Sequence, residues 1–276
     1  MATRADSIRK SNLRATAQDV AECFAEHGLL TYASAIAFRT LVALVPLTLL
    51  GLALLGVFGL EDVWKDTIAP ALKGHLTQPV FNGIDFTATQ IFTTDTWSLI
   101  ALSIALVIWD MTWAVNVVTQ ALNRIHDVEE RRSKPRRAAV AAGLGLAVVL
   151  CLIAAVLVQS VAPSVTDGAL DTLLSILRWP VAILFLWVAV TLLFRYAPAE
   201  KPDFRWASGG SFLVIGTWLV ASALFRAWAT EVADFKTATG SLTVFLLLTA
   251  YVLASSTIFL IGAQLDELAR KKNRRS

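Results

Sequence analysis

Asp110, in "LVIWDMTWAVN", is a carboxylate in the middle of an apolar run, and Arg39, in "SAIAFRTLVALVPL", is a guanidinium near the edge of another. A charge in the hydrocarbon of a bilayer costs roughly 2.5–3.5 kcal/mol on insertion scales, so such a residue faces a protein interior or a wet cavity and takes a partner. Two opposite charges in that setting could lock helix register as an ion pair. They could also solvate the headgroup of an amphiphile whose tails stay in lipid. Asn116 and Asn123 follow Asp110 on the same helix. Arg39, Asp110, Asn116 and Asn123 therefore form a candidate intramembrane polar site. Pro46, mid-span in the first run, frees a backbone carbonyl one turn earlier and is a natural place for a kink.

Other reactive side chains do not assemble into a catalytic pattern. The sequence holds no phosphate-cradling glycine loop, no H-E-x-x-H word and no nucleophile elbow. Cys23 and Cys151 are too few and too far apart for a disulfide framework or a zinc site. His27, His75 and His126 are scattered and supply no metal constellation. The expectation is a protein that is not an enzyme and that uses no cofactor or metal.

The elements that must position the polar residues are long apolar helices. The chain is 56% hydrophobic and 16% charged, with mean hydropathy +0.63, whereas soluble domains carry about 25% charged residues. Leu41–Leu60, Ala138–Thr166, Trp206–Phe225 and Thr237–Leu265 contain no charge, and Trp97–Leu122 and Leu173–Phe194 are interrupted only by Asp110 and Arg178. About 20 apolar residues cross the hydrocarbon core. The fold class is thus all-α, a polytopic membrane bundle of six helices, with spans near 40–60, 97–119, 139–162, 173–194, 206–227 and 241–264. Soluble core helices would need polar faces, and a β-barrel would need period-2 alternation.

Flanking segments read less sharply. Residues 7–38 suggest a separate cytoplasmic or interfacial helix, with Leu13, Ala17, Val20, Ala21 and Phe24 on one face. Residues 61–96 suggest a short interfacial helix on Trp64, Ile68, Leu72 and Leu76, its Trp near the headgroups and its length limited by Pro70 and Pro79. Residues 268–276 form a basic tail. No cleavable signal peptide is apparent, so the first span is expected to serve as the targeting signal.

Charge sets the orientation. Cations gather before the first span, in "ALNRIHDVEERRSKPRR" (121–137), at Arg195, Lys201 and Arg205, and in the tail, while the alternate connections are acidic. Positive loops remain cytoplasmic, so both termini are expected inside. Arg131, Arg132, Lys134, Arg136 and Arg137 are then topology determinants facing anionic inner-leaflet headgroups. Nucleic-acid binding would want aromatics interleaved with these cations or a recognised fold, and neither is present. Membrane lipids are the expected partners, not nucleic acid; the sequence leaves the oligomeric state open.

The words "ASAIAFRTLVALVP" (33–46), "ALNRIHDVEERR" (121–132), "LFRYAP" (193–198) and "TGSLTVFLLLTAYVLASSTIFLIGAQLDE" (239–267), in this order, resemble the YihY/BrkB family of bacterial inner-membrane proteins. Gln264 stands where that family tends to have Glu, Thr239 where it tends to have Tyr, and Asp110 where small or polar residues are usual. The resemblance implies a bacterial inner-membrane envelope protein, with export of a lipid or lipopolysaccharide precursor and serum resistance as proposed roles. It also brings an old label, ribonuclease BN, which the residues above do not support. The leading expectation is a transporter or flippase of an amphiphile; the alternatives are a non-transporting envelope-integrity protein and, last, a membrane-associated ribonuclease.

Overall fold

The first apolar run forms a helix, α1 (Leu29–Val57), that starts well before Arg39. What separates it from the preceding helical residues 20–26 is Gly28, whose φ of 63° lies in the left-handed region. There the Gly28 N–H bonds the Ala25 carbonyl at 3.0 Å and ends one helix as the next begins. The expected division at residue 38 is therefore corrected: Arg39 has α-helix on both sides, and nothing in "AIAFRTLVAL" breaks it. In this computed structural model the described residues are 18, 20–73, 78–93, 96–161, 169–199, 209–232 and 238–275. The earlier part of the expected N-terminal helix, residues 7–17, lies outside them, as do Leu76 and the ends of some expected spans.

The remaining helices are α2 (Ala69–Lys73), α3 (Gln78–Thr93), α4 (Thr96–Ile125), α5 (Lys134–Val161), α6 (Ala169–Tyr196), α7 (Gly209–Val232) and α8 (Ala238–Arg275). Among the described residues, six helices are long and apolar enough to cross a membrane. At 1.5 Å per residue the 30 residues of α4 reach about 45 Å, longer than the hydrocarbon core, so their ends project from it. The tail is a further correction: residues 268–275 continue α8 as helix and are not a separate segment. Pro46 is buried inside α1, which continues past it without a break.

Contacts run around a closed cycle. α1 packs on α4 and α8, α4 on α5, α5 on α6, α6 on α7 and α7 on α8, while α4 also touches α8. Two apolar cores lie within it. One includes Leu29, Leu122, Ile125, Ala141, Leu144, Phe194, Leu260 and Ala263, at the end bearing the loop of the basic 121–137 segment. The other, at the far end, includes Leu52, Ala53, Trp64, Phe81, Ala88, Ile91 and Ile100. Outward, Phe38, Val45, Trp109, Leu146, Leu184, Phe212 and Leu224 are more than half exposed or close to it, the apolar surface that lipid covers.

The far-end connection is more built than expected. A π-helical turn (Val63–Ile68) runs straight into α2, so Pro70 lies inside a continuous helical run, whereas Pro79 stands second in α3, where the missing N–H costs nothing. Pro70 does not end the helix it lies in, and Pro79 falls in the first turn of another. Trp64 is only 4% exposed, and its Nε1–H donates to Asp85 Oδ1 at 3.0 Å. It is a core residue, not a headgroup anchor, because α3 supplies both an apolar face and an acceptor.

Helices α7 and α8 cross where neither has a side chain. A Cβ on Gly210 would collide with the Gly262 carbonyl oxygen, and a Cβ on Gly262 would collide with Val214 Cγ2. The same pair is tied further along by Trp218 Nε1 to Ser255 Oγ (2.8 Å) and by the Ser222 and Tyr251 hydroxyls (2.7 Å). Overpacking of this kind costs about 1–3 kcal/mol. Gly262→Val is expected to lower the thermal unfolding midpoint in detergent by several degrees. Gly216→Ala, where the added carbon meets nothing within 4 Å, is expected to leave it unchanged or raised.

Candidate functional site

At the basic-loop end the chain solves a problem of buried charge. Glu267, on α8, is 2% exposed. Its Oε2 lies 2.7 Å from His126 Nδ1 at the end of α4. A carboxylate only accepts, so the imidazole proton there is on Nδ1. Arg270, one turn further along α8, closes the other side: Nε donates to Oε2 at 2.8 Å and Nη2 to Oε1 at 3.0 Å. One turn earlier on α8, Gln264 Oε1 accepts from His27 Nδ1 at 3.3 Å. Lys271 Nζ reaches Asp127 Oδ2 at 2.9 Å. The residues at 264, 267, 270 and 271 share one face of α8 and clasp α4 and the segment leading into α1.

Asp127 holds φ at 54°, a left-handed conformation that more often falls to glycine. Val128 N–H bonds the Asn123 carbonyl (2.9 Å) and Asp127 N–H the Arg124 carbonyl (3.4 Å), a Schellman close to α4. At the equivalent close of α1 the left-handed residue is Gly59. At α4 the position carries a carboxylate, and that carboxylate is the one that reaches Lys271.

A second network fixes the loop itself. Asn123 is 6% exposed; its Nδ2 donates to Glu130 Oε2 (3.1 Å) and its Oδ1 accepts from the Ala199 N–H (2.8 Å). Arg132 grips Glu130 with Nε to Oε1 (2.8 Å) and Nη2 to Oε2 (2.7 Å), and Nη2 also donates to the Ala197 carbonyl (2.8 Å). The Arg132 side chain beside Glu130 holds its carboxyl down at about 2, against the partial burial that pushes the other way.

The candidate residues therefore do not form one groove. Asn123 belongs to the loop network. Asn116 Oδ1 accepts from Arg137 Nε at 2.8 Å, which ties α4 to α5. Asp110 is 8% exposed and sits near the middle of α4. Among the described residues no ion pair joins it to Arg39. The Arg39 guanidinium lies instead over the Trp113 ring, 5.1 Å from its centroid, a cation–π contact that uses the flat face of the side chain. Asp110, Ser103 and Val107 of α4, with Ala43 and Pro46 of α1, are buried between the two apolar cores and belong to neither. The basic cluster divides as well: Arg131, Lys134 and Arg136 are exposed, while Arg132 and Arg137 turn inward to Glu130 and Asn116.

Sequence reasoning missed Glu267, His126, His27, Asp127 and Glu130. One signal was available: Gln264, Glu267, Arg270 and Lys271 recur at helical spacing just past an apolar span. His27 and His126 carried none, because their partners are 237 and 141 residues away.

The sequence profile of a family described as "Virulence factor BrkB" matches residues 20–276. A ribonuclease-like protein, YfkH, of Bacillus subtilis (strain 168) is 22% identical over 248 residues, covering 87% of this chain and 89% of the relative. No solved structure matches.

Removing Glu267 leaves the largely buried His126 and the partly exposed Arg270 without their acceptor, and breaking a buried pair costs about 3–5 kcal/mol. Glu267→Ala is expected to be among the most destabilising single changes in a detergent melting series. Glu130 supplies a pH signature. Its carboxyl is lowered from 4.5 to about 2 in the fold, so its contribution is complete above about pH 4.5 and is lost as pH falls towards 2. Glu130→Gln is expected to be less stable than the native protein at pH 7, with the gap narrowing across that window. In a double-mutant cycle on Arg39 and Asp110, stability coupling is expected to fall well below that of a broken buried pair, since the two do not touch.

Proposed function

The chain belongs to the BrkB family and is a multi-pass membrane protein, and from this premise we propose that it is a bacterial inner-membrane transporter or flippase of a lipid or similar amphiphile. The observation that carries the reading is Asp110. The residue is 8% exposed at mid-span, and among the described residues its carboxylate has neither ion pair nor hydrogen bond. A structural role would have used it as Glu267 is used, with donors supplied by the fold. Kept without them, it is suited to a charged group that comes and goes.

The basic-loop end faces the cytoplasm in this reading, with both termini on that side. Exposed Arg124, Arg131, Lys134 and Arg136 meet anionic headgroups there, each gaining about 1 kcal/mol near the surface. The ribonuclease-like label of the Bacillus relative is not carried over. His126 is taken up by Glu267, and Arg132 and Arg137 are taken up within the fold, which leaves them unsuited to RNA. No catalytic activity is proposed.

Reconstituted into liposomes with a labelled phospholipid, the native protein is expected to speed leaflet exchange and Asp110→Asn to lose most of that acceleration. Equal, background-level exchange by both would favour the envelope-integrity role. Reporter fusions after Arg137 and Ser276 are expected to read cytoplasmic and a fusion near Gly74 external; a cytoplasmic signal at Gly74 would reverse the orientation.

A further inference from the structure

Two opposite charges meet the same turn of α4 without neutralising each other. Asp110 and Trp113 are three residues apart, neighbours on one helix surface with Cβ atoms about 5–6 Å apart. Arg39 reaches across from α1 and lays its guanidinium on Trp113. That contact occupies the face of the group and leaves the N–H donors around its edge, which among the described residues make no hydrogen bond. The rim of this turn is aromatic and turned outward: Trp109 and Trp113 are 62% and 44% exposed, with ring centroids 6.3 Å apart.

We propose that this turn binds the headgroup of a zwitterionic phospholipid, the ammonium at Asp110 and the phosphodiester at Arg39. The proposal rests on the transport reading above and names its substrate class. An ammonium and a phosphate joined by a two-carbon link are spaced on the order of one helical turn, about 5.4 Å, and both residues bear on one turn of α4, Asp110 from within it and Arg39 through Trp113. A purely anionic headgroup would satisfy Arg39 but bring its charge beside Asp110. A purely cationic one would do the reverse. Only a group carrying both signs completes both residues, and the tryptophan rims favour an ammonium over their faces while the acyl chains remain in lipid. Arg39 is held on the Trp113 ring and not paired with Asp110, so neither charge is neutralised by the other.

The test measures binding, so that it stands apart from transport. The full chain in non-ionic detergent is titrated with short-chain phosphatidylethanolamine, phosphatidylcholine and phosphatidylglycerol, and bound lipid is counted by intact-complex mass spectrometry. The zwitterionic lipids are expected to bind at least about tenfold more tightly than the glycerol lipid, the size of one modest charge contact. The two zwitterionic arms differ only in the ammonium and tell a primary amine from a quaternary one. Asp110→Asn is expected to erase the preference over phosphatidylglycerol, and Arg39→Gln to weaken all three. Should Asp110→Asn fold poorly, Trp113→Leu, which frees Arg39 to approach Asp110, is expected to lower zwitterion binding in its place. Equal binding of all three lipids by the native protein, or a preference that survives Asp110→Asn, overturns the proposal. A preference for zwitterions without leaflet exchange in liposomes keeps the site and overturns the transport reading.

Discussion

The buried carboxylate of Glu267 is the constraint on which the basic-loop end of this bundle depends. A charge that is 2% exposed must be met by donors from its own surroundings. Those donors are His126 on α4 and Arg270 on α8. Sliding α8 along α4 by one turn, about 5.4 Å, would strip the His126–Glu267 and Lys271–Asp127 contacts at once and leave Glu267 to Arg270 of its own helix. The clasp therefore fixes axial register for the apolar residues just before the pinned positions, Leu122, Ile125, Leu260 and Ala263, which pack together in one core. His27 against Gln264 extends the same register to the start of α1.

Hydrophobic burial does not by itself hold helices together in lipid, because tails are as apolar as leucine. The spanning helices are joined by the devices that remain. Small residues let α7 and α8 approach at Gly210 and Gly262, and α4 and α5 approach at Gly145, where an added carbon would lie 2.9 Å from Met111 Cβ. Inter-helix hydrogen bonds do the rest, from Arg137 to Asn116 and from Trp218 to Ser255. Against this background Asp110 stands apart. Glu267 is met by donors from the fold, and Asp110 is placed between the two cores without a partner among the described residues.

Some features were legible from the residues and some were not, for identifiable reasons. The six apolar runs appear as helices, with boundaries that shift where a local device intervenes: Gly28 opens α1 early, and the absence of any breaker after Leu265 carries α8 through the basic tail. Trp64 misled because its type suits a headgroup belt; the acceptor Asp85, 21 residues downstream, and the apolar face of α3 around it are what bury it. The basic cluster was legible as a set of cations and illegible as individuals. Arg131 and Arg132 are adjacent and identical in type, yet one is exposed and the other spans Glu130 and Ala197.

What the sequence determined by itself is the class of fold and the number of crossings, because whether a segment enters the bilayer is decided by its own length and hydropathy. It also marked which intramembrane residues call for partners, since the cost of a charge in hydrocarbon is a property of the residue. Who those partners are was left to the tertiary structure. Asp110 and Arg39 have the right signs to pair, but the guanidinium lies over the Trp113 ring instead. Glu267 finds a histidine 141 residues away. Pairing depends on distance and angle between helices, and those follow from how all the helix faces pack at once, which no single stretch of chain encodes.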